Sequence, residues 1–213
     1  MLGFGTADVH AAAAATWTYP GGPVTHADGT EFPSLPLTIE ACEYLRATEN
    51  RTVFYKPVVI TFHGNNGFCS TNASGQDAPG NFGWIAPSSA CEAVLPSTFP
   101  AWINGQTGNS PPGTCQPSQV VPKIGMDIAL PIFHQATGSG SNVKYRVRGM
   151  AVFHLTGFNL HGPAGWASPP ANPPCSGNER CIAGWFVPQS QVAAPPGGDD
   201  FGMSIISLVE EAP

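Results

Sequence analysis

Charge is what this sequence has least of. Asp, Glu, Lys and Arg make up 10% of its 213 residues, against about 25% in an average soluble protein. Eight residues are Lys or Arg and the formal net charge is −6. No basic surface of that size can follow a phosphate backbone, so nucleic acid is excluded as an expected partner. No stretch approaches the roughly 18 apolar residues of a membrane-spanning helix. Residues Met1 to Ala15 lack the charged start and apolar core of a signal peptide. The absence of any Cys-x-x-Cys pair argues against zinc ribbons and thioredoxin-type redox sites. With no G-x-S-x-G elbow, no alternation of strands with long helices, no EF-hand loop and no fixed-period repeat, the common hydrolase, calcium-binding and solenoid readings lose their usual signals.

What is abundant is turn chemistry. Gly and Pro number 25 and 23, more than a fifth of the chain, beside 42% hydrophobic residues. That mixture predicts a single, mainly β domain over residues 1–213: an antiparallel sheet or sandwich with long Gly/Pro-rich loops and at most one or two short helices. A chain of this length can bury about 70% of its unfolded surface, enough for a sizeable core. The six cysteines, Cys42, Cys69, Cys91, Cys115, Cys175 and Cys181, sit among loop signals. Their even number reads as three disulfides made in an oxidising compartment. Separation favours Cys175 with Cys181 first, then Cys91 with Cys115 and Cys42 with Cys69; other pairings remain open.

The scaffold is expected between Asp127 and Phe158. Asp127 to Phe133 and Val143 to Phe158 are rich in β-branched and aromatic residues, and the Gly/Ser/Asn-rich stretch from His134 to Asn142 between them reads as a hairpin loop. Alternation puts Tyr145, Val147, Ala151, Phe153 and Leu155 on one face and Lys144, Arg146 and Arg148 on the other. From Met150 onward the second face also turns apolar through Val152 and Phe158, which predicts a sheet covered on both sides there. Further strands are expected from Arg51 to Phe62, with Pro57 marking an edge or a bulge, from Ile182 to Val187, and from Gly202 to Val209. Thr38 stands where it would cap a short helix holding Cys42. The segment from Ala7 to Trp17 is balanced between helix and strand. The long stretch from His63 to Pro122 is expected to be pinned by disulfides and by burial of Phe82, Trp84 and Trp102.

Candidate chemistry is sparse. Thr61-Phe-His-Gly64 is the one trace of hydrolase chemistry, with His63 as its histidine and Phe68-Cys-Ser70 as a conceivable nucleophile; a strand end entering a glycine turn explains it as well. His10, His26, His63, His134, His154 and His161 show no metal-ligand spacing, and Asp199 and Asp200, with Asp77 and Asn81 elsewhere, read as solvated rather than as calcium ligands. No metal or cofactor is expected. Trp84, Trp102, Trp166 and Trp185 read first as core. Trp102 and Trp166 are the pair that would serve as a sugar-stacking platform on exposed loops. Asn50-Arg-Thr52 and Asn72-Ala-Ser74 match the glycosylation acceptor pattern.

From about Val9 onward the chain resembles the extracytoplasmic part of TadE/TadG-like proteins of the tight-adherence (Tad/Flp) pilus-assembly system of bacteria. The resemblance rests on Pro79-Gly-Asn-Phe-Gly-Trp84, Ile128-Ala-Leu-Pro-Ile-Phe133, the run Tyr145-Arg-Val-Arg-Gly-Met-Ala-Val-Phe-His-Leu-Thr-Gly-Phe158, and Cys175 with Arg180-Cys-Ile-Ala-Gly-Trp-Phe186, in that order. Members of that family carry an N-terminal transmembrane helix ahead of an Ala-rich stretch similar to Val9 to Thr16. Membrane contact is thus expected only through a helix this chain does not contain, and residues 1–23 would be the tail of a truncated pilin-like region. The resemblance implies a non-enzymatic, pilus-associated or pseudopilin-like surface protein, cell-surface or secreted, that acts in pilus assembly or adhesion with other pilus or envelope proteins. Its loops, His63 to Pro122 and His161 to Glu179, would make the contacts. The alternatives are a secreted carbohydrate-binding module, with glycans as partners, and a secreted hydrolase or metal-dependent enzyme using His63.

Overall fold

The computed structural model describes residues 14–62, 82–88, 91–106, 111–113, 115–138, 142–160, 164–167, 174–175, 178–190 and 192–209. In chain order its elements are β1 (Ala14–Thr18), β2 (Leu37–Glu40), α1 (Ala41–Ala47), β3 (Val58–Thr61), β4 (Phe82–Trp84), β5 (Ala101–Asn104), α2 (Pro117–Val120) continuing into a 3-10 turn (Val121–Lys123), β6 (Asp127–Thr137), β7 (Lys144–Asn159), β8 (Gly165–Trp166), β9 (Cys181–Val187), β10 (Gln189–Ser190) and β11 (Met203–Val209). Among the described residues the protein is mainly β, with mixed sheets and two short helices.

The predicted hairpin of β6 and β7 is its centre. The 16-residue β7 is long enough to serve two neighbours on each edge. Along one edge it pairs with β6 and then β8; along the other it pairs with β5 near its start and with β9 near its end. The sheet then runs β3-β9-β7-β6-β2-β4. Only β2 against β6 is parallel within it. A three-stranded sheet, β1-β11-β10, stands apart, and in it β1 lies antiparallel to β11. The Ala-rich opening therefore resolves as strand from Ala14 on, because β11 offers it a ladder.

Two cores flank the large sheet, as the two-sided apolar pattern after Met150 predicts. The first holds Ile128, Leu130, Ile132, Ala151, Phe153 and Leu155 under Tyr44 and Ala47 of α1. Its rings meet edge to face, Tyr44 on Phe186 at 4.8 Å and Phe153 on Phe186 at 5.1 Å, the offset geometry that aromatic quadrupoles favour. The second holds Ala129, Phe133, Tyr145, Val147, Met150 and Val152, closed by Val24, Phe32 and Met203.

This division corrects the single-face expectation. Tyr145 and Val147 do not share a face with Ala151, Phe153 and Leu155; they lie in the second core. The cause is a pair of β-bulges. Ile132 faces Gly149 and Phe133 faces Val147, so Arg148 is an extra residue on β7; Gln135 then faces Arg146, so His134 is an extra residue on β6. One extra residue swaps every later side chain to the other face. A third slip, between Leu155 and Gly157 opposite β9, turns Phe158 into the first core rather than beside Val152.

Other expectations change for equally local reasons. Thr38 is not a helix cap. It lies in β2, where its hydroxyl donates to the Pro131 carbonyl at 2.8 Å, while Glu40 occupies the N-cap of α1 without a side-chain cap bond. The strand expected from Arg51 begins only at Val58, because Glu49, Asn50, Arg51 and Tyr55 all take positive φ, which no ladder accommodates. As Pro57 foretold, β3 pairs on one side only among the described residues. Trp84 is 1% exposed and pins its loop, whereas Trp102 is 47% exposed and pins nothing; the Phe82 side chain falls outside the described residues.

Two of the three expected disulfides are present among the described residues. Cys91 bonds Cys115 with Cα atoms 4.8 Å apart, and Cys175 bonds Cys181 at 6.3 Å, both within the usual span. Cys42 is disulfide-bonded too, and its guessed partner Cys69 lies outside the described residues. Paired cysteines point to folding in an oxidising, extracytoplasmic setting. Among the described residues no helix is long and apolar enough to cross a membrane.

Candidate functional site

The twin bulges do more than swap faces. By adding one residue to each strand they push His134 and Arg148 out of the alternation, and the segment around Asp199 crosses the sheet at that point. The Asp199 amide donates to the Arg148 carbonyl at 3.1 Å. A Cβ added to Gly149 would stand 3.1 Å from the Asp199 carbonyl oxygen and 2.8 Å from the Phe201 ring, so the missing side chain lets the crossing segment lie close. The Arg148 guanidinium then grips the Asp199 carboxylate with two bonds, Nε to Oδ2 at 2.8 Å and Nη2 to Oδ1 at 3.0 Å. This fork geometry is the strongest an exposed pair can take, yet half-exposure holds its contribution to about 0.5 to 1 kcal/mol.

Next to it, Asp200 accepts from the Gly202 amide at 3.0 Å through Oδ1, while its Oδ2 faces Arg51 Nη1 at 3.4 Å. Each carboxylate thus has its own guanidinium. Asp199 and Asp200, expected as a solvated turn, are instead fixed members of a charge-balanced cluster. They line a cleft of about 400 Å³ with His134, Arg51, Tyr19 and Phe201. The His134 Nδ1 is buried and without a hydrogen-bond partner among the described residues. Burial first, then the charges of Arg148 and Arg146, lowers the His134 pKa from its ordinary value. Beneath it, burial first and Asp200 second push the Tyr44 phenol up.

Tyr19 and Asp200 also form a wall of a second cleft, about 480 Å³, that continues over the three-stranded sheet along Trp17, Ser204 and Ile206. Trp17 and Ile206 are direct cross-strand partners, 71% and 45% exposed. Met203 and Ile205, on the opposite side of β11, pack on the second core, so the Trp17 side is the outward one. The two clefts adjoin at Tyr19 and Asp200, which line both, and together give an aromatic end and a polar end.

A second polar row crosses the large sheet, where Asp127, His154 and Trp185 stand side by side on β6, β7 and β9. Asp127 Oδ1 is 2.7 Å from His154 Nδ1, and the imidazole stacks on Trp185 at 4.4 Å, 9° from parallel. Such a pair sets a tautomer and orients a general base. Among the described residues, Asp127 is the side chain that hydrogen-bonds to His154.

The Trp102 and Trp166 pair is separated by the fold. Trp102 lies in β5 opposite Arg146 and Trp166 in β8 opposite Gly157, on different edges of β7 and, by strand rise, roughly 35 Å apart. Trp166 packs its ring on the Gly157 backbone, where an added Cβ would meet it at 2.2 Å. One sugar cannot rest on both. Trp84 is core and Trp185 is stacked on His154. Sequence reasoning did not single out Trp17, Tyr19 or Arg51. The segment from Ala7 to Trp17 reads as balanced between helix and strand, and nothing local says that Trp17 is exposed or that it meets Asp200. His10, His63, Cys69, Asn72, Asp77, Asn81 and His161 lie outside the described residues. Asn50 is exposed in the left-handed turn after α1. Among the described residues no three His, Cys, Asp or Glu side chains are grouped to hold a metal.

The site therefore defines a class: a disulfide-stapled β domain with an open groove and a rigid platform under it. Comparison with family models, with curated proteins and with solved structures finds no match.

Proposed function

We propose that the chain is a non-enzymatic, pilus-associated surface protein of the TadE/TadG-like kind, cell-surface or secreted, which acts in pilus assembly or adhesion by presenting a contact face on a rigid sheet. The observation that carries this is the outward Trp17–Ile206 pair. A fold that seals two cores leaves its most exposed tryptophan directly beside an exposed isoleucine, next to an ordered charged cluster. Large exposed apolar groups rimmed by polar ones mark interaction surfaces, and tryptophan is one of the residues enriched among their anchors. Paired cysteines and the order of the β motifs support an envelope protein of this family.

The test is made in the producing cell. Trp17→Ala combined with Ile206→Ser is expected to leave protein level and disulfide formation unchanged while pilus number or surface attachment falls about tenfold, the loss of one ~1.4 kcal/mol anchor. Normal piliation and attachment in that double variant would refute the reading.

A further inference from the structure

We infer that the groove running from Trp17 past Tyr19 to Asp199 and Asp200 is a binding site for a neutral oligosaccharide; this deepens the adhesion reading above and rests on it. The argument starts from charge. Arg148 answers Asp199 from outside the cleft lining and Arg51 answers Asp200 within it, so both carboxylates of the polar end are already paired and neither stands free to select a cation. What it offers instead is both halves of a hydrogen-bonding vocabulary in a fixed arrangement. Carboxylate oxygens retain lone pairs to accept from hydroxyls, and guanidinium N–H groups donate to them. Vicinal hydroxyls, each donor and acceptor at once, are the chemistry that uses both. The buried Nδ1 of His134, unpartnered among the described residues, adds one more polar site at the cleft floor.

The other end supplies what hydroxyls cannot. Trp17 is the most exposed large hydrophobic side chain described and lines the groove with Tyr19. Flat rings with a polar edge pack against the C–H face of a pyranose. The two clefts, about 480 and 400 Å³, lie within the range of small-ligand sites and share Tyr19 and Asp200, so a chain of a few sugar units would span them. Rigidity comes from outside the groove: Arg148 acts as a positioning residue that holds Asp199, and the paired bulges hold Arg148.

Purified protein is titrated calorimetrically with three neutral hexasaccharides, a β-1,4-glucan, an α-1,4-glucan and an N-acetylglucosamine oligomer, and with a hexagalacturonate as anionic control. At least one neutral probe is expected to saturate below about 1 mM and the anionic one not to. Trp17→Ala weakens that binding about tenfold or more, ~1.4 kcal/mol, and Asp199→Asn weakens it several-fold. Trp102→Ala, an exposed aromatic away from the groove, leaves it unchanged. Unaltered melting of Trp17→Ala shows that the loss is local. No saturation by any neutral probe, equal binding of the anionic one, or full affinity in Trp17→Ala would overturn the inference. Absent sugar binding together with impaired piliation in the Trp17 variant cells removes the saccharide and leaves the presentation reading. Saturable binding with normal piliation does the reverse.

Discussion

Glu40 closes β2 and caps α1 with no side-chain cap bond, and it is only 8% exposed. Desolvation first, and the neighbouring Glu43 second, raise its pKa from 4.5 to about 7. The native carboxyl therefore keeps a proton that the unfolded chain has already released. Its contribution is fully present below about pH 4.5 and is lost as pH rises through about 7, the reverse of an ion-paired carboxylate. The size of the shift corresponds to at most ~3 kcal/mol. Glu40→Gln keeps the shape and removes the charge, so its stability should not fall over that interval. His134 works in the opposite sense: its lowered pKa withdraws stability as pH falls below its ordinary value. The total pH profile mixes both, and only the difference between wild type and Glu40→Gln isolates Glu40. Denaturant titrations from about pH 4.5 to 8 should show the two proteins alike at the acid end and the variant ~2 to 3 kcal/mol more stable at the alkaline end, roughly 5 to 10 °C in Tm. A constant difference across the range, or a variant less stable at pH 8, would refute the reasoning.

Gly184 sits inside β9, where an added Cβ would lie 1.9 Å from the His154 carbonyl oxygen. Gly184→Ala must push β9 off β7 and is expected to cost ~3 kcal/mol or more by denaturant melting; a loss under about 1 kcal/mol would contradict the packing. The Cys91–Cys115 bond spans 24 residues and Cys175–Cys181 spans six. Loop entropy then predicts losses of about 3.5 and 2.4 kcal/mol for the respective double alanine variants, and the reverse order would show that loop length does not govern them.

The class of fold was legible because it rests on local signals: β-branched runs, turn clusters and an even set of cysteines. The hairpin, β9, β11 and the two pairings read from short separation all follow from them. What escaped was parity. Tyr145, Val147, Ala151, Phe153 and Leu155 are all odd-numbered, and nothing in Arg146-Val-Arg-Gly149 announces that Arg148 is an extra residue, because a bulge is decided by the partner strand. The site escaped for the same reason. Tyr19, Arg51, His134 and Asp199 are far apart in the chain, and only the crossing of the sheet at Arg148 brings them to one cleft. Thr38 was misread because a hydroxyl next to a helix start looks like a cap until a strand carbonyl, that of Pro131, proves to be its acceptor.

The two slips between β6 and β7 are equal and opposite. From Ile132–Gly149 to Gln135–Arg146 both strands advance by the same number of residues, so the ladder is back in step beyond them. Losing one residue at either place throws the far half out of step. Losing both Arg148 and His134 would restore a straight ribbon in which Phe133 still faces Val147 and Gln135 still faces Arg146. Tyr145 and Val147 would keep their core face, while the cleft would lose His134 and Asp199 would lose its guanidinium. The hairpin can shorten there in step only by giving up both residues at once, which ties the length of this stretch to the furnishing of the cleft rather than to the interior of the sheet.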